Sequence, residues 1–97
     1  MVYEKRLNTL SELAKELRTL DFDGGVRVQG RYGGEPCFIF ITRPSGSFIV
    51  ALYSGKKGAS GMEVPDRRLM LKEYLEVGPL MKFLEGEALD PLEAYSY

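Results

Sequence analysis

Val26-Arg-Val-Gln-Gly-Arg-Tyr32, Cys37-Phe-Ile-Phe-Ile-Thr42 and Phe48-Ile-Val-Ala-Leu-Tyr53 are three short runs joined by two turns, and their reading decides the fold. The first alternates apolar and polar residues, as a strand with one wet face does. The other two are apolar at consecutive positions, the pattern of strands covered on both faces. Gly33-Gly34 supplies the positive φ angles of a two-residue hairpin. Counted from that turn, Tyr32 faces Glu35, Gln29 faces Phe38, Val28 faces Ile39, Arg27 faces Phe40 and Val26 faces Ile41. Arg43-Pro44-Ser45-Gly46 makes the second turn, and a four-residue loop there sets Thr42 opposite Ser47.

On this register one sheet face carries Val26, Val28, Cys37, Ile39, Ile41, Phe48, Val50 and Leu52, an ordinary aliphatic core. The other carries Arg27, Gln29, Arg31, Phe38, Phe40, Ile49, Ala51 and Tyr53, where aromatics alternate with arginines. The consecutive apolar residues predict that C-terminal helices cover this second face as well.

Around the meander, Thr9-Leu-Ser-Glu12 has the form of a capping box and starts a helix near Leu10, whose apolar stripe suits the aliphatic face. Tyr3 and Leu7 extend that stripe backwards, which makes residues 1–8 either an early helical turn or a loose arm. Gly55-Lys-Lys-Gly-Ala-Ser-Gly61 reads as a flexible basic loop. It lacks the Gly-x-x-x-x-Gly-Lys-Ser/Thr order of a nucleotide-binding loop. Pro65-Asp66 reads as the start of a second helix over residues 67–77, with Leu69, Met70, Leu71, Tyr74, Leu75 and Val77 spread around most of it and Gly78-Pro79 as its stop, and Leu80–Leu84 reads as a short third helix with Pro79 at its first turn, closing at Gly86. The predicted fold is therefore α+β: an N-terminal helix, a three-stranded antiparallel β-meander and two C-terminal helices packed on the sheet. Residues 1–86 form the domain and residues 87–97 an acidic tail with Leu89, Leu92, Tyr95 and Tyr97.

Composition narrows the function classes. The chain has 97 residues, 44% of them hydrophobic and 28% charged, and a net charge of −1, which describes one globular domain without an apolar run of membrane-spanning length. There is no histidine, and Cys37 is the single cysteine, placed on the aliphatic face. This excludes structural zinc sites built from several Cys and His ligands, intrachain disulfides, and nucleophile pairs that use histidine. No cofactor motif is present, and a cytoplasmic setting is expected. Asn8 and Gln29 are the only side-chain amides, a bias that points towards a thermophilic source. Charge is unevenly spread: Arg27, Arg31, Arg43, Lys56, Lys57, Arg67, Arg68 and Lys72 make the middle basic, and Glu85, Glu87, Asp90 and Glu93 make the end acidic.

With no acid, base, nucleophile or metal set assembled, the expectation is a protein that is not an enzyme. The leading reading is an accessory or adaptor subunit that works through protein–protein interaction, in an assembly that handles nucleic acid, with Tyr74, Leu75, Phe83, Tyr95 and Tyr97 as contact residues. Self-association into a homodimer belongs to the same reading. The alternative is a single-stranded nucleic-acid-binding protein in which Phe38 and Phe40 stack bases while Arg27, Arg31, Lys56 and Lys57 hold phosphates.

Overall fold

In the computed structural model, residues 5–32, 35–61, 63–86 and 93–96 are described, and they form a two-layer α+β domain. The elements are β1 (Lys5–Leu7), α1 (Leu10–Arg18), β2 (Gly25–Tyr32), β3 (Glu35–Thr42), β4 (Phe48–Lys57), β5 (Glu63–Tyr74), α2 (Val77–Gly86) and β6 (Glu93–Ser96). The strands make one six-stranded sheet in the order β1-β6-β2-β3-β4-β5, and every neighbouring pair is antiparallel. The expected architecture of one meander and three helices is thereby corrected.

The meander itself follows local rules. β2 and β3 pair in the register counted from the turn, from Gly25–Thr42 to Tyr32–Glu35; Gly33-Gly34 lies outside the described residues. At the second turn the loop is longer than four residues, so that Thr42 pairs with Ile49 and not with Ser47. Gly46 takes φ 93°, a conformation suited to glycine, and accepts a hydrogen bond from Arg43 Nε at 3.2 Å on its carbonyl. Because the shift is by two residues and the side-chain period is also two, each side chain keeps its predicted face.

The aliphatic face is the core. Val26, Val28, Cys37, Ile39, Ile41, Phe48, Val50 and Leu52 are buried together with Leu13, Leu17 and Leu20 from α1 and its exit, and with Leu80 and Leu84 of α2. α1 begins where the capping box places it: Thr9 Oγ1 accepts from the Glu12 amide at 3.1 Å, while the Glu12 carboxylate accepts from the Asn8 amide at 2.7 Å. Leu80 and Leu84, one turn apart, seat α2 in the same cluster as α1.

Four segments depart from expectation. Residues 67–77 are not a helix, because β5 occupies Glu63–Tyr74. Their Arg, Leu, Met, Lys and Glu content favours a helix locally, but β4 is an apolar strand whose outer edge needs pairing, and that non-local demand overrides a propensity worth tenths of a kcal/mol per residue. The apolar residues expected around a helix follow a strand alternation, with Met70 and Tyr74 turned to the core and Leu71 paired beside Ala51 on the opposite face. Gly78-Pro79 has no helix before it to stop; Pro79 lies, as expected, in the first turn of the helix that follows, α2, where its missing N–H goes unused, and α2 closes at Gly86 as expected but starts earlier, at Val77. Finally, Leu7 is buried in strand β1, so residues 5–7 are neither helix nor loose arm, and Glu93–Ser96 form β6 between β1 and β2.

Both helices contribute to one cluster on one side of the sheet. Among the described residues, no helix covers the second face, contrary to the expected double covering.

Candidate functional site

The uncovered face is ordered in rows, because antiparallel partners point the same way. One row runs across the whole sheet: Arg6 on β1, Tyr95 on β6, Arg27 on β2, Phe40 on β3, Ala51 on β4 and Leu71 on β5. The next row holds Gln29, Phe38, Tyr53 and Arg68, and the row on the other side holds Thr42, Ile49 and Glu73.

Physical character changes along the central row. At one end the Tyr95 ring lies between two guanidinium groups, with Arg27 Cζ 4.9 Å and Arg6 Cζ 5.8 Å from its centroid. These are cation–π distances, each worth about 0.5–1 kcal/mol at an exposed site. In the middle, Phe40 and Tyr53 meet edge to face, with centroids 5.6 Å apart and planes at 86°. Beside them Ala51, the one small side chain in the apolar run of β4, leaves a groove of about 430 Å³ lined by Phe40, Thr42, Ile49, Ala51, Tyr53 and Pro65. Leu71, 54% exposed, extends this apolar strip towards the sheet edge. Glu73 closes it, hydrogen-bonded by the Ser47 hydroxyl. The face is thus basic at one side, aromatic and apolar at the centre, and acidic at one corner.

The expected contact residues are distributed differently. Of the nucleic-acid set, Arg27 and Phe40 lie side by side on this face. Phe38 shares the face but is only 4% exposed, with its ring lying over Gly55, where an added Cβ would come within 3.4 Å of it. Phe38 supports the platform and offers it no open ring. Lys56 and Lys57 belong to β4 and not to a loose loop, and Lys56 pairs with Asp66 at 3.4 Å. Arg31 pairs with Pro36 through its backbone, and its side chain lies outside the described residues.

The protein-contact set does not form one surface. Tyr74 and Phe83 pack against the core with ring centroids 6.0 Å apart, and Lys72 Nζ lies 5.0 Å from the Phe83 centroid. Leu75 stands 77% exposed between β5 and α2. Of the described members, only Tyr95 reaches the uncovered face; Leu89, Leu92 and Tyr97 lie outside the described residues. Residues that complete the face but were not singled out are Arg6, Thr42, Pro65, Arg68, Leu71 and Glu73. Ala51 lies on the expected face, and one alanine amid bulky strand residues is the sequence mark of a groove.

A second depression runs along α1, lined by Arg6, Asn8, Glu12, Lys15, Glu16 and Thr19. Its charges alternate in sign, and Glu12 is committed to the helix cap, so it selects no ligand by charge. Among the described residues, no group of three or more His, Cys, Asp or Glu side chains could hold a metal ion, and no helix is long and apolar enough to cross a membrane. No protein-family model, curated protein or solved structure matches this chain.

Proposed function

We propose that the protein is a non-catalytic interaction module, an accessory or adaptor subunit whose docking surface is the uncovered sheet face. One observation carries the reading: among the described residues the antiparallel sheet packs its helices on one side only, yet the opposite side is lined at its centre by Phe40, Ile49, Ala51, Tyr53 and Leu71. A face meant for water alternates polar residues against the core, whereas contiguous apolar surface of this kind marks a protein contact. Aromatic residues at the centre with charges at the rim match the anatomy of such interfaces.

The test places a photo-crosslinking amino acid at position 51, on the face, and at position 85, exposed on α2. Adducts are expected from position 51 and not from position 85 when the crosslink is made in the source cell. Equal labelling from both positions, or none from 51, contradicts the reading.

A second reading is favoured by the row Arg6-Tyr95-Arg27-Phe40, since alternating guanidinium and aromatic groups suit stacked bases and their phosphates. It is separated by titrating labelled single-stranded DNA and RNA at two salt concentrations. The interaction-module reading expects no salt-sensitive binding of micromolar strength or better. Such binding, lost in the Arg27→Ala/Arg31→Ala double variant, replaces it with the nucleic-acid reading.

A further inference from the structure

We infer that the occupant of the uncovered face is a second copy of this chain, docked face to face about a twofold axis; this rests on the interaction-module reading above and names its partner. Size is the first argument. The domain measures 35 × 32 × 24 Å. The four strands β2–β5, of 8, 8, 10 and 12 residues, span roughly 19 Å across at about 4.8 Å per strand and about 30 Å along at about 3.3 Å per residue, a projected face of roughly 600 Å², on the scale of the roughly 800 Å² of accessible surface that a standard interface takes from each partner.

Self-complementarity is the second. Phe40 and Ala51 are direct partners across β3 and β4. A twofold axis running along the strands between β3 and β4 exchanges these two strands, and so lays the Phe40 ring of each copy over the Ala51 groove of the other. The same operation exchanges β2 with β5. Arg27 then comes opposite the partner copy's Leu71, with the partner's Glu73 in the next row on one side and its Arg68 in the next row on the other, while β6 and β1 extend past the partner's β5. Phe38 and Tyr53, also cross-strand partners, are exchanged in the same way. A C2 contact needs such a patch, in which each residue finds its counterpart on the same surface.

The sheet edges argue for the face by exclusion. β5 has an unpaired outer edge, but it carries Pro65, Arg67, Arg68 and Lys72 and two register shifts against β4, the devices by which edge strands resist pairing. β1 at the other edge is three residues long.

Sedimentation velocity and equilibrium over a range of protein concentration test this on the full chain. The expected result is a reversible species of twice the 10.9 kDa chain mass. Ala51→Glu, which sets a carboxylate under the partner ring, is expected to raise the dissociation constant about 100-fold, and Leu71→Lys, on an exposed side chain, to weaken the dimer with no risk to the core. Circular dichroism melts confirm that each variant is folded. A dimer indifferent to Ala51→Glu and Leu71→Lys overturns the inference. A monomer at all concentrations also overturns it: adducts from position 51 to another protein then leave the interaction-module reading standing, whereas their absence removes both.

Discussion

A chain ending at residue 92 is expected to lose about 3–5 kcal/mol of stability, read as a fall in the urea midpoint, against a total of about 5–15 kcal/mol for a domain of this kind. The reason is topological. β6 is not an appendage but an interior strand, paired with β1 at Lys5–Ser96, Arg6–Tyr95 and Leu7–Ala94 and with β2 from Val26–Ser96 to Gln29–Glu93. Its removal breaks both ladders, whose hydrogen bonds contribute about 1 kcal/mol each net, and detaches β1, which pairs with no other strand. Leu7, 1% exposed in the intact domain, loses its place in the core. The Tyr95 ring between Arg6 and Arg27 goes as well. Unchanged stability after the truncation is the outcome that contradicts this account.

Ile39→Ala is the second large effect. Ile39 is fully buried at the centre of β3, paired with Val28 on one side and Leu52 on the other, and belongs to the cluster shared by both helices. Truncating such a side chain removes its transfer energy and leaves a cavity, about 2–5 kcal/mol together. Ile49→Ala supplies the contrast, because Ile49 is only half-buried and lines the open groove. Its cost should stay below about 1 kcal/mol in the monomer, since a groove open to water leaves no cavity. Denaturant titrations at low protein concentration compare the two. A cost for Ile49→Ala as large as that for Ile39→Ala means that the second face is buried within the chain.

How much of this was legible follows the range of the forces involved. The β2–β3 register was readable because one two-residue turn sets it and period-2 alternation confirms it. The start of α1 was readable because Thr9 and Glu12 act over three residues. β5 was not, because Arg67–Tyr74 has local preferences for helix and becomes a strand only when β4 is beside it. β6 was not, because four residues, Glu93–Ser96, are too few for periodicity to stand out, and the need for them arises at β1 and β2, far away in sequence. Arg31 apart, whose side chain lies outside the described residues, the second face has the expected composition but not the expected cover from the C-terminal helices. Consecutive apolar residues report that both faces of a strand are apolar; they do not say whether the second cover comes from the same chain.

Gly78-Pro79 was readable in part: Pro79 does open a helix, but a strand and not a helix precedes it. The pair punctuates helices at either end, and which end is decided by whether Leu80 and Leu84 find a core to enter.

The most direct measurement is hydroxyl-radical footprinting of Phe40, Tyr53 and Leu71 as a function of protein concentration, with Phe22 and Leu75, 69% and 77% exposed, as references. The three face residues are expected to be reactive in dilute protein and to become protected as concentration rises, while Phe22 and Leu75 react equally throughout. Protection of Phe40, Tyr53 and Leu71 that is already complete at the lowest concentration contradicts this, because the face is then covered by the chain itself.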